Sequence, residues 1–222
     1  LFLYKQIALI FFPLIWVKIS LPINPVAPVI NIFLYISSKY VIRPHIMQIA
    51  ISKTPLRISL FGGGTDLKSY YKKKNGAVLS FTINKFLYVV VKRNQSYVDT
   101  KYRIFWSRTE FTNDINKIKH PLAREILKYF KIDFPIEIST FSDIPANSGM
   151  GSSSSFAVGL INAISSLLSL KLSKTEIAKI ASHVEINILK RNIGKQDHYA
   201  AVYGGLNFIE FKKNEKVLIK RI

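Results

Sequence analysis

The sequence predicts an α+β fold, a mixed or antiparallel sheet covered by helices. Three observations carry that prediction. Apolar, β-branched runs with strand spacing fall at 49–52, 56–61, 77–83 and 86–92. Two helical runs, 156–168 and 173–189, sit together later in the chain. Two short apolar runs, 206–211 and 217–222, then close the sequence as a hairpin.

The elements follow in order from Met47, which opens a run into the first strand. Pro55 divides 49–52 from 56–61, so two strands are expected there. Gly62-Gly63-Gly64-Thr65-Asp66 breaks the second, and Asp66 is placed to cap a short helix reaching Lys74. A turn near Asn84-Lys85 separates 77–83 from 86–92, and 97–107 reads as one or two further strands. Ile115, Ile118, Leu122, Ile126, Leu127 and Phe130 have helical spacing over 114–130, and 135–141 is a strand. Ser173 and Glu176 form a capping box for the later helix. An irregular piece, 191–196, leads into 197–203, which Gly204-Gly205 ends.

The chain is organised around Asp143-Ile-Pro-Ala-Asn-Ser-Gly-Met-Gly-Ser-Ser-Ser-Ser155. Read physically, it is a strand end, a tight glycine loop and a helix start. Gly149 and Gly151 allow positive φ and bring N–H groups close to a ligand. The serines 152–155 fall in the first helical turn, where free N–H groups and the helix dipole favour an anion. Their hydroxyls add donors for phosphate and ligands for Mg²⁺. A nucleotide polyphosphate fits these properties. No Gly-Lys-Ser or Gly-Lys-Thr follows, so the loop is not a Walker A motif. A flexible linker would not run straight into a buried helix.

Composition narrows the field. With 222 residues, 49% hydrophobic, the chain can bury a core. The absence of cysteine excludes disulfides, thiolate metal sites and cysteine nucleophiles, and fits a reducing cytoplasm. The net charge of +19 is spread along the chain in short runs such as Lys72-Lys73-Lys74, without a basic tail or an RNA-recognition motif. Phosphate ligands therefore weigh above nucleic acid.

Residues 1–46 differ in texture, with no acidic residue and long apolar runs broken by Pro13, Pro22, Pro25 and Pro28. They are expected to be a leader outside the native domain. A membrane-associated extension is the competing reading, and membrane contact is expected only in that case.

Three blocks then stand together: Pro55-Leu-Arg-Ile-Ser-Leu-Phe-Gly-Gly-Gly-Thr-Asp66, Pro145-Ala-Asn-Ser-Gly-Met-Gly-Ser-Ser-Ser-Ser155 and Gly194-Lys-Gln-Asp-His-Tyr-Ala-Ala-Val-Tyr-Gly-Gly205. In this order they resemble the GHMP kinases, and the first block resembles the D-glycero-D-manno-heptose 7-phosphate kinase branch. The resemblance implies a fold like ribosomal protein S5 domain 2, with 47–222 as the N-terminal ATP-binding domain of a sugar kinase and the C-terminal domain missing. It implies that ATP phosphates lie against Pro145, Asn147, Ser148, Gly149, Met150, Gly151, Ser152, Ser153 and Ser154. Ser153 and Glu185 match the family's magnesium ligands. Asp197 matches the base or electrostatic anchor beside the acceptor hydroxyl, and Arg57 its basic neighbour.

Phosphoryl transfer asks for these residue types on its own account: charge neutralisation, in-line positioning, and few hard oxygen ligands for Mg²⁺. Galactokinases carry Gly-Glu-His-x-Asp where this chain has Gly62-Gly63-Gly64-Thr65-Asp66. Gly63, Gly64, Thr65 and Asp66 are therefore expected to bind a bulkier or phosphorylated sugar, with galactose or fucose as alternative acceptors. His198 replaces a Gln usual in the heptose branch and is assigned no proton-transfer role. The remaining readings are a basic S5-like nucleic-acid-binding domain and a degenerate kinase fragment.

Overall fold

The computed structural model describes residues 48–94, 99–146 and 148–222. The leader and Asn147 lie outside them.

Seven strands form one sheet: β1 (Ile49–Phe61), β2 (Gly76–Arg93), β3 (Tyr102–Phe105), β4 (Thr109–Thr112), β5 (Ile136–Ser142), β6 (Leu206–Phe211) and β7 (Val217–Arg221). The order is β4-β3-β5-β2-β6-β7, with β1 also on β2. Only β3 and β5 run parallel. Along β2, Val78, Leu87, Val89 and Val91 point into the core, alternating with residues on the opposite face. The helices are α1 (Lys68–Tyr71), α2 (Pro121–Tyr129), α3 (Ser152–Leu167), α4 (Lys174–Ser182) and α5 (Gln196–Tyr203). Buried on nearly every side, α3 packs on β1 and β2 and against α2, α4 and α5. Leu160, Ile161 and Ile164 at its centre are fully buried, each contributing about 1.5–3 kcal/mol of burial.

Two expected breaks are absent. Pro55 and the Asn84-Lys85 pair do not end strands; β1 stays on β2 from Ile49 opposite Lys92 to Phe61 opposite Leu79. The irregularity is absorbed in a bulge, where Pro55↔Phe86 is followed by Arg57↔Thr82, two steps on β1 against four on β2. A proline without an N–H and a turn-forming pair lie opposite each other, so both fit one disruption of the ladder.

The expected helix over 114–130 is a 3-10 turn (Ile115–Lys117) and then α2. Pro121 takes the first helical position, and His120 Nδ1 caps it by accepting from Ala123 N–H at 3.2 Å. The Ser173–Glu176 capping box is present. The helix it opens is α-helical only to Ser182 and continues as a π-helical segment, His183–Ile188. Asp66 does not cap α1, whose N-cap is Leu67 without a side-chain bond. Its carboxylate turns instead toward α5. The closing hairpin forms as β6 and β7.

Candidate active site

Four pieces of chain meet at the start of α3: the end of β1, the glycine loop before α3, the π-helical segment and the N-terminus of α5. Gly151 holds the loop-to-helix junction at φ 73°, a left-handed conformation that a side chain rarely adopts. A Cβ there would lie 3.3 Å from Asp197 Oδ2, so the loop backbone rests on the Asp197 carboxylate.

Arg57 ties these parts together. Its Nε and Nη2 donate to Asp197 Oδ1 and Oδ2 at 2.7 and 2.5 Å, a bidentate pair. Its Nη1 donates to the Gly149 carbonyl at 2.8 Å, and its backbone N–H to the Met150 carbonyl at 3.2 Å. One residue thus fixes the carboxylate and the glycine loop relative to each other. The Asp197 side chain keeps 22% of its surface exposed, against 11% for Arg57. The carboxylate is thus anchored on one side and open on the other.

A second cluster is built on Glu185, which the π-helical segment carries. Such segments are rare and recur at functional sites. Glu185 is fully buried. Its Oε1 accepts from Ser153 Oγ and Arg191 Nη1, both at 2.6 Å. Its Oε2 accepts from Ser154 Oγ at 3.1 Å and faces His198 Nε2 at 2.6 Å. A carboxylate can only accept, so His198 Nε2 donates to it. Burial opposes the charged form of Glu185. Hydrogen bonds from His198 and Ser153 and the charge of Arg191 outweigh it, bringing the carboxyl down to about 2. Asp197 and His198 are successive residues of α5 and point to different partners, one to Arg57 and one to Glu185.

The predicted residues divide on this geometry. Ser153 and Glu185 touch, as do Arg57 and Asp197. Ser148 and Gly149 are exposed on the loop, as is Pro145, while Met150 packs partly against the core. Ser152 and Ser153 are half-buried at the helix start. Ser154 is turned inward, 2% exposed, with its hydroxyl committed to Glu185. In the first block, Gly63 and Gly64 are exposed. Thr65 Oγ1 bonds the Gly62 and Ala77 carbonyls at 2.7 and 3.0 Å and accepts from Ala77 N–H at 3.0 Å. Asp66 accepts from Gly64 N–H at 3.1 Å and from Gln196 N–H at 2.9 Å and Nε2 at 3.2 Å. Gly194 permits this approach, since a Cβ there would fall 1.8 Å from Asp66 Oδ2.

Besides His198, two residues that the sequence did not single out belong to the site. Gln196 joins Asp66 to β1, its Oε1 accepting from Ser59 Oγ at 2.8 Å. Its place beside Asp197 in the third block was the available signal. Arg191 lies in the stretch read as irregular, and nothing in the local pattern marks it.

Residues 116–205 match the family model described as GHMP kinases N terminal domain. Over that segment the chain is similar to the N-terminal domain of the GHMP kinases. It is 36% identical over 182 residues to D-glycero-alpha-D-manno-heptose 7-phosphate kinase of Campylobacter jejuni, covering 78% of this chain and 54% of that protein. It is 27% identical over 162 residues to mevalonate kinase of Saccharolobus solfataricus, covering 70% of this chain and 49% of that protein. Among solved structures, a D-glycero-D-manno-heptose 1-phosphate kinase from Bacteriodes thetaiotaomicron matches with a TM-score of 0.71 and 29% identity, over 78% of this chain and 60% of that one. The chain spans about half the length of the curated relatives it matches. Arg57 and the Gly62–Asp66 loop precede the region matched by the GHMP model, and reach it in space through Asp197 and Gln196.

Proposed function

We propose that this chain is the nucleotide-binding part of a cytoplasmic sugar kinase that transfers the γ-phosphoryl group of Mg-ATP to a sugar hydroxyl. The proposed acceptor is the anomeric hydroxyl of D-glycero-D-manno-heptose 7-phosphate. The observation that carries the reading is the Arg57–Asp197 pair, locked onto the glycine loop that opens α3, with Ser153 in the first turn of that helix donating to Glu185. The triphosphate would lie along that loop and the first-turn N–H groups of α3, where the backbone offers donors and the dipole is positive.

The donor set fits a divalent cation of the magnesium type: one hydroxyl and one carboxylate held ionised, both hard oxygens. Among the described residues there is no group of three or more His, Cys, Asp or Glu side chains able to hold a metal. Ser153 and Glu185 would therefore share the cation with phosphate oxygens. When bound, it would neutralise charge on the transferred group.

The acceptor oxygen bonds to the γ-phosphorus while the β–γ bridging bond breaks, leaving ADP. Both oxygens of Asp197 are engaged by Arg57, so its exposed side is suited to orient the attacking hydroxyl and accept its proton as the P–O bond forms. Arg57 holds that carboxylate in one orientation and adds positive charge near the developing negative charge. Gly63 and Gly64, exposed and without side chains, leave room for a phosphorylated sugar. The two heptose kinases among the relatives favour a heptose phosphate over galactose.

ADP release should be measured by a coupled assay with heptose 7-phosphate, galactose and fucose, on this chain and on one of the relatives' full length. Turnover with heptose 7-phosphate well above the other two is expected from the longer protein. Equal turnover would reject the acceptor. Salt-sensitive RNA affinity without any response to ATP would reject the kinase and favour the nucleic-acid reading that the +19 charge permits.

A further inference from the structure

The carboxylate of Glu185 is fully subscribed. It offers about four lone-pair positions, and Ser153, Arg191, Ser154 and His198 fill them. His198 and Ser154 are buried and cannot withdraw without opening the core. Arg191 differs: its side chain is 35% exposed and sits on a flexible stem. Its Nη1 lies 2.6 Å from both Ser153 Oγ and Glu185 Oε1, the two atoms that would face a metal. Its backbone is pinned by an N–H bond to the Glu185 carbonyl at 3.0 Å, so only side-chain rotation is needed to clear the position.

We propose that Arg191 is a resident counter-ion that keeps the cation seat closed until nucleotide arrives, so that metal and triphosphate bind together. This rests on the phosphoryl-transfer reading above. A buried carboxylate needs a positive partner, and Arg191 supplies it when no metal is bound. A free divalent cation must displace the guanidinium into water and gains nothing for it. A cation arriving with a triphosphate brings phosphate oxygens that the planar fork of Arg191 can grip. By reciprocity, nucleotide raises metal affinity by the factor by which metal raises nucleotide affinity, and Arg191 enlarges that factor.

The test is titration of the full chain with Mn²⁺ as a spin probe, with and without a non-hydrolysable ATP analogue. R191Q should bind Mn²⁺ alone about tenfold or more tightly than the wild type, because a positive charge has left the seat. The analogue should raise Mn²⁺ affinity by a larger factor in the wild type than in R191Q. Adding E185Q to R191Q should abolish the gain. Equal Mn²⁺ affinities in wild type and R191Q, where the wild type binds the analogue, overturn the inference alone. Failure of the wild type to bind the analogue removes the phosphoryl-transfer reading and the inference with it. Should R191Q not fold, the arginine side-chain NMR signals of the wild type carry the same test. The Arg191 signal should move with Mg²⁺ plus analogue and stay in place with Mg²⁺ alone, and any other pattern overturns the inference.

Discussion

At the scale of single residues, each carboxylate is defined by what surrounds it. Asp197→Asn keeps the shape but removes the charge proposed to orient the acceptor, so on that proposal kcat should fall by about 10²–10⁴ in the coupled assay. Glu185 stores a pH dependence. Its carboxyl is lowered from 4.5 to about 2 in the folded chain, so the unfolded chain binds more protons between those values. The stability it contributes is complete above about 4.5 and is lost as pH falls toward 2. Glu185→Gln should flatten that acid limb in denaturation followed against pH. His120, packed 4.6 Å from the Trp106 ring and 4.5 Å from Phe156, is pushed by burial from 6.5 to about 4. Its contribution is complete above about 6.5 and falls away toward pH 4. His120→Asn keeps a capping acceptor but should remove that limb. These roles were only partly legible in the sequence. Asp197, Arg57, Ser153 and Glu185 could be named from motif position. For Asp66 the sequence suggests a helix cap beside a sugar-binding role, and its partners, Gly64 and Gln196, are hidden there because tertiary approach and not local spacing sets them.

At the scale of elements, α3 decides how closely the loop can approach the sheet. Gly159 faces β1, where an added Cβ would meet Thr54 Oγ1 at 2.8 Å and Ser52 Oγ at 2.9 Å. Gly159→Ala should therefore destabilise the domain by about 1–3 kcal/mol in chemical denaturation, although alanine is the better helix former. Ser173→Ala removes one half of a capping box and should cost about 1 kcal/mol. Elements with strong local signals were legible: the capping box, the apolar run of α3 and the closing hairpin. Less so were those where a breaker is absorbed by pairing. Pro55 and Asn84-Lys85 each look like an end, and only their opposition across the β1–β2 bulge shows that neither is. The π-helical segment was also hidden, since its apolar spacing resembles that of an α-helix over so few residues.

At the scale of the whole molecule, the sheet carries helices on one face and shows aromatic and charged side chains on the other, with Phe111 and Phe141 exposed there. The fold serves to bring β1, from the first third of the chain, against α5 near its end, a separation of 140 residues between Arg57 and Asp197. No helix among the described residues is long and apolar enough to cross a membrane. In the proposed kinase, one cradle of amides and hydroxyls holds a triphosphate while a separate carboxylate faces the acceptor. Calorimetric titration of this chain with a magnesium complex of a non-hydrolysable ATP analogue tests it directly. Binding by the wild type is predicted, weakened about tenfold or more by Ser153→Ala or Glu185→Gln and within about threefold of wild type in Asp197→Asn. No binding by the wild type, or a loss in Asp197→Asn as large as in Ser153→Ala, would contradict it.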